Sequence, residues 1–139
     1  KNGSIYLKPT QFVLGIGCRR DTAFENIDRA IRQSLLKMQI DISDIDMIAS
    51  IDVKKDEPGI KEFCERNRIE FVTYTADELM AVQGEFSASQ FVREHVGVDN
   101  VCERAAVLAC SRECNEAGEL IYKKHKYDRV TVAAARYPD

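Results

Sequence analysis

Apolar and polar positions repeat along this chain with two different periods, and the changes of period mark its elements. Residues 11–17 (QFVLGIG) form a short apolar run closed by two glycines, the pattern of a buried strand entering a tight turn. A helix follows over 23–38, where Ala23, Ile27, Ala30, Ile31, Ser34, Leu35 and Met38 recur at three-to-four spacing. Thr22 with Glu25 reads as a T-x-x-E capping box at its start. Residues 46–51 (DMIASI) predict a second buried strand, which ends in the charged loop 52–57. Pro58 fits the first position of a helix reaching about residue 67, because the missing N–H is not needed there. Ile60, Phe63 and Cys64 supply its apolar stripe. Residues 70–74 (EFVTY), rich in β-branched and aromatic side chains, read as a third strand. Thr75 with Glu78 repeats the capping box and opens a short helix.

Further on, Ser87 with Gln90 signals another helix, which Gly97 can end as its C-cap. Asn100 with Glu103 opens an alanine-rich helix through about Cys114. Two strand patterns, 120–124 and 129–135, flank a polar turn around Tyr127 and Asp128, so an antiparallel hairpin is expected. Strands alternate with helices for most of the length and no internal repeat is visible. The predicted fold is α/β: a three-layer α/β/α sandwich with a mixed sheet of about five strands, ending in the hairpin.

Composition narrows the class. The 139 residues are 45% hydrophobic and 31% charged, with net charge -3, as expected of one globular domain with a packed core rather than a disordered chain. No apolar run reaches the roughly 18 residues that would span a bilayer, and the expected setting is the cytoplasm. Five cysteines, an odd number scattered over helix and strand patterns, read as reduced thiols. The slight acidic excess and the lack of a block of like charge argue against non-specific nucleic-acid binding as the main role, and with no spanning run neither nucleic acid nor a membrane is expected as partner.

Two clusters could carry chemistry. Gly15, Gly17, Cys18, Arg19 and Arg20 fall at the C-terminal end of the first strand, where open α/β sheets bind ligands. Glycine N–H groups, the start of the next helix and two guanidinium forks could cradle an anion, although the plain alternative is a strand-to-helix turn that needs glycine. Arg20 stands where a dinucleotide fingerprint would have its third glycine, and no P-loop occurs. In the second cluster, Asp52, Lys54, Lys55, Asp56 and Glu57 could pair a general base with a cation that tunes it. A solvated loop capping the next helix is the other reading.

The remaining candidates are weaker. Ser87 and Ser89 are possible hydroxyl donors, though Ser87 is equally an N-cap. His95 and His125 are the only histidines, and neither lies near a serine elbow. Cys102, Cys110 and Cys114 share one helix face, but no C-x-x-C pair or histidine completes a ligand set, so no metal site is expected. Glu103 is a capping residue first and a site candidate second. Of the tail cations Lys123, Lys124, Lys126 and Arg129, strand alternation sends Lys123 and Lys124 to opposite faces. Lys124 then reads as edge protection, and Lys123 stays open as a ligand contact.

Taken in order, residues 15–20 (GIGCRR), 50–57 (SIDVKKDE), 87–89 (SAS), Gly97-Val98, 101–106 (VCERAA) and 130–134 (VTVAA) resemble the C-terminal domain of the cobalamin-biosynthesis protein CbiG and its stand-alone relative CobE. The resemblance covers nearly the whole chain from about Ile5. Residues 1–10 would be a linker from a preceding domain and 11–139 the CbiG C-terminal-like domain. Where that family has a glycine after the paired arginines, this chain has Asp21.

The resemblance implies a part in anaerobic vitamin B12 synthesis, where full-length CbiG acts as cobalt-precorrin-5A hydrolase, opening a δ-lactone and releasing acetaldehyde. The implied partner is a cobalt-corrinoid precursor, with other pathway enzymes as further candidates; no cofactor is implied. Gly15, Gly17, Cys18, Arg19, Arg20, Lys54, Ser87, Ser89, Glu103 and Lys123 are then candidate contacts to this substrate, with the glycine-loop N–H groups, Arg19, Lys54 and Lys123 suited to its carboxylates. Asp52 or Glu57 is the candidate base for lactone hydrolysis, with N–H groups after Gly15 at the oxyanion. Two other classes stand beside this reading: a non-catalytic tetrapyrrole-binding or docking module, and a small enzyme for another anionic metabolite.

Overall fold

The structure is a computed structural model and describes residues 12–82, 101–114 and 118–137. Five strands make one mixed sheet in the order β3-β2-β1-β5-β4. β1 (Phe12–Cys18), β2 (Ile45–Ile51) and β3 (Glu70–Tyr74) run parallel, while β4 (Glu119–Tyr127) and β5 (Val130–Arg136) form the antiparallel hairpin that joins β1 through β5. Being central and covered on both faces, β1 and β5 are apolar nearly throughout, as strands without a solvent face must be.

Helices cover both faces. α1 (Phe24–Met38) and α2 (Pro58–Asn67) lie on one side, where Ile27, Ile31, Leu35, Ile60 and Phe63 pack on Leu14, Ile16, Ile48, Val132 and Ala134. On the other side α3 (Ala76–Met80) and α4 (Val101–Cys114) bring Leu79, Ala105, Ala106 and Cys110 onto Val13, Met47, Ala49 and Ala135. Alternate strand residues thus feed separate cores, which is the three-layer sandwich expected from the pattern.

Several local expectations hold in detail. β3 occupies 70–74, α2 begins with Pro58 in its first turn, and Thr75 and Glu78 form the reciprocal capping box of α3. Three are corrected. The cap of α1 is Ala23, with no side-chain cap bond; the Thr22 hydroxyl instead donates to the Arg19 carbonyl at 2.5 Å and is buried. Gly15 and Gly17 are not turn residues, because β1 continues to Cys18 and pairs Gly15 with Ala133 and Gly17 with Thr131. β4 is longer than 120–124, and its register shifts on either side of Tyr122 break the simple alternation that separated Lys123 from Lys124. The helix expected from Ser87 to Gly97 lies outside the described residues.

Gly15 has a packing role. A Cβ there would stand 1.7 Å from the Cys102 carbonyl oxygen, so the backbone of α4 rests directly on β1. Antiparallel pairing of Cys18 with Val130 carries the hairpin turn, Asp128 and Arg129, to the C-terminal end of β1. That register positions the site described next.

Candidate functional site

The C-terminal ends of the parallel strands are where an open α/β sheet leaves a crevice, and here three loops meet. The first follows β1. Cys18 is half-buried, Arg19 and Arg20 are exposed, and Asp21 adopts a left-handed backbone with φ 59°. Glycine takes that conformation without cost, and aspartate is among the few other residues that tolerate it.

The second loop follows β2. Asp52, Val53 and Lys54 form one turn of 3-10 helix, after which Glu57 precedes α2. Glu57 is 7% exposed, and its Oε2 accepts the Asp21 N–H at 2.9 Å while its Oε1 lies 3.9 Å from Lys54 Nζ. One carboxylate therefore ties the β1–α1 loop to the β2–α2 loop. Asp52 is half-buried beside this link, and Val53 is 68% exposed, an apolar side chain presented to solvent on a charged rim. Beneath them, the buried Ser50 hydroxyl donates to the Ile16 carbonyl at 2.7 Å, joining the ends of β1 and β2 just after their ladder stops.

The third contribution is the hairpin turn. The Arg19 N–H donates to the Arg129 carbonyl at 2.9 Å, and the Arg129 guanidinium donates to the Arg20 carbonyl at 2.8 Å. The Cys18 thiol sits within the influence of Lys54, Glu57, Thr22 and Arg129; burial pushes its pKa up to about 11 despite the nearby Lys54 cation. It is a neutral thiol at physiological pH, which makes it a packing and polar-contact group and not a ready nucleophile.

Cys18, Arg19, Arg20, Lys54, Asp52 and Glu57 are thus brought to one rim. Others are not. Gly15 and Gly17 lie inside the strand, with a Cβ at Gly17 meeting the Thr131 hydroxyl at 2.7 Å, so their N–H groups belong to the sheet and to no anion nest. Glu103 is fully buried in α4 on the opposite face, where its Oε2 accepts the Lys124 N–H at 2.7 Å. Lys123 is exposed on the edge strand β4. Ser87 and Ser89 lie outside the described residues. Cys102 and Cys110 are buried, and desolvation pushes the Cys102 thiol up to about 12.

Residue-by-residue reading missed Asp21, Thr22 and Arg129 as members of the rim. Asp21 stood where the resembled family has glycine, and that glycine was the available signal for a left-handed backbone. The Arg129 placement depends on strand register, which leaves no local trace. Two surface grooves, of about 520 and 280 Å3, run along α2 between side chains such as Lys61 and Glu65 and reach this rim only at Asp56 and Lys55. The rim itself is an open shelf on which the cations Arg19, Arg20, Lys54 and Arg129 stand among the carboxylates Asp21, Asp52 and Glu57.

A family model described as Cobalamin synthesis G C-terminus matches residues 12–135. This chain belongs to that family. It is a domain of a cobalamin-biosynthesis protein, and its α/β fold is the family's. It is 38% identical over 102 residues to the cobalt-precorrin-5A hydrolase of Salmonella typhimurium, covering 73% of this chain and 29% of that protein. With the cobalt-precorrin-5A hydrolase of Priestia megaterium it shares 30% over 138 residues, covering 99% of this chain and 35% of that protein. The chain therefore spans about a third of the length of these curated relatives. The crystal structure of CobE, a protein from the cobalamin biosynthetic pathway, superposes with TM-score 0.86 at 25% identity and covers 96% of both chains. Among the described residues no helix is long and apolar enough to cross a membrane.

Proposed function

We propose that this domain serves a cobalt-precorrin-5A hydrolase and that its rim binds the cobalt-corrinoid precursor. The observation that carries this is the group of cations on the mixed-charge rim at the ends of β1 and β2, in a chain whose relatives include two named hydrolases of that substrate. A corrinoid precursor is a broad apolar macrocycle fringed with acetate and propionate arms. Arg19, Arg20 and Lys54 suit the arms, since guanidinium forks and ammonium groups bind carboxylates through charge-assisted hydrogen bonds. Val53 suits the ring face. The free thiols at Cys18, Cys64, Cys102 and Cys110 fit the reducing cytoplasm.

Lactone opening adds water to the ester carbonyl and breaks the ring C–O bond, leaving a carboxylate and a hydroxyl; the whole reaction then releases acetaldehyde. A base must take the proton of the attacking water. Asp52 is the better candidate, because Glu57 already accepts the Asp21 N–H and faces Lys54. Glu57 then positions the two loops, and Lys54 is available to the developing oxyanion.

The second reading is a substrate-holding module without hydrolysis of its own. It is favoured by the end-to-end match with CobE, and by the fact that this chain spans only about a third of the named hydrolases. Titration of the chain with a cobalt-corrinoid intermediate, followed by absorbance and by mass spectrometry for acetaldehyde, separates the two. Binding with turnover that D52N abolishes supports the first reading. Binding without turnover selects the second, and no binding overturns both.

A further inference from the structure

Arg129 occupies a backbone position that suits glycine. It is the second of the two residues between β4 and β5 and has φ 68°, in the left-handed region where a Cβ and a long side chain are disfavoured. Gln39 and Arg68 take the same backbone region as the C-caps of α1 and α2, so the strain by itself assigns no role; what sets Arg129 apart is where its side chain lies. The turn does not need arginine to hold its shape. Asn26 Nδ2 donates to both the carbonyl and a carboxylate oxygen of Asp128, at 3.3 and 3.1 Å, and the Arg19 N–H bond uses only the Arg129 backbone.

The charge pattern is equally informative. Arg129 lies on the Arg19–Arg20 backbone, so three guanidinium-bearing residues gather at one loop junction, all exposed. The ion pairs of the described residues include none of the three, and the Asp128 carboxylate is engaged by Asn26. Asp21 and Asp128 adjoin these arginines in the chain, so the junction is of mixed charge, but the guanidinium groups are left with donors that no carboxylate of the described residues takes up. One terminal nitrogen of Arg129 is taken by the Arg20 carbonyl, which fixes the plane of the fork while other N–H donors stay open to solvent.

We propose that Arg129 is a carboxylate-binding residue of the rim and that the hairpin turn is its third wall, receiving an acetate or propionate arm of the corrinoid. This rests on the corrinoid reading above and assigns a contact that reading does not include. The Arg20 carbonyl orients the guanidinium toward the ligand, and Arg19 and Arg20 supply its neighbouring cations.

The test compares R129G and R129K with the parent chain, using cobyrinic acid and its neutral heptamethyl ester as probes. Parent binding of cobyrinic acid tests the corrinoid reading by itself; its absence overturns that reading and this one together. Given parent binding, R129G should bind cobyrinic acid about tenfold more weakly, with Tm unchanged or raised because glycine relaxes the turn. R129K, which keeps charge but loses the fork, should fall between. Affinity for the ester should be the same in R129G and the parent. R129G within about twofold of the parent on the acid, an equal loss on acid and ester, or a loss accompanied by a clear drop in Tm would each overturn the assignment while leaving the corrinoid reading standing.

Discussion

A methyl group at position 15 has nowhere to go, since it would lie 1.7 Å from the Cys102 carbonyl oxygen and 3.1 Å from the Ala106 nitrogen. Both neighbours are helix backbone and cannot rotate aside. G15A should therefore destabilise the fold by about 3 kcal/mol or more, read as a lower urea midpoint. In the sequence this glycine belongs to a G-x-G pattern that suggested an anion loop, and a short apolar run offers no way to distinguish a glycine kept for a ligand from one kept for a helix. Asp21 is the converse case. Its left-handed φ was legible only as a departure from a glycine, and its N–H partner, Glu57, comes from a different loop. Residue identity named the chemistry available at the rim; contacts between distant residues assigned each group its task.

Glu57 acts between elements. It belongs to the entrance of α2, yet its acceptor bond holds the loop between β1 and α1. E57A removes the acceptor from a buried link and the carboxylate facing Lys54, and should cost about 1–3 kcal/mol. E57Q keeps an acceptor oxygen and should recover most of that loss in the same denaturation experiment. If E57Q also leaves turnover intact, Glu57 is a positioning group and not the base. The elements themselves were largely readable. Pro58, the Thr75 and Glu78 box and the β-branched run 70–74 each act within a few residues, so local pattern located α2, α3 and β3. The span of α1 was legible to within a residue, but its cap was not, because the Thr22 hydroxyl has two satisfactory uses, a helix cap or a bond back to Arg19, and the tertiary fold selects the second.

Among the described residues Cys64, Cys102 and Cys110 are buried as small apolar groups and Cys18 is half-buried, and this gives the stability of the whole molecule a pH dependence. Desolvation raises Cys18 to about 11 and both Cys64 and Cys102 to about 12, from an ordinary value of 9.0. Folded-state values above the unfolded one mean that the unfolded chain releases these protons first. Their contribution is complete below pH 9 and is lost as pH rises through 11 to 12, so the Tm should fall progressively above pH 9. Replacing Cys64 by alanine should flatten part of that decline; an unchanged profile would show that these thiols do not carry it. By itself the sequence determined the kind and order of the elements among the described residues and the apolar faces they bury, because hydrophobic period reports how each side chain faces its own backbone. It also carried the family's motifs in order. Only the tertiary structure decided that β5 inserts beside β1, that α4 presses on Gly15, that Glu103 supports β4 and that Arg129 reaches the rim. Each of these is a meeting of segments remote in the chain, governed by strand register and by the distance at which two backbones can pack, and no local period encodes either.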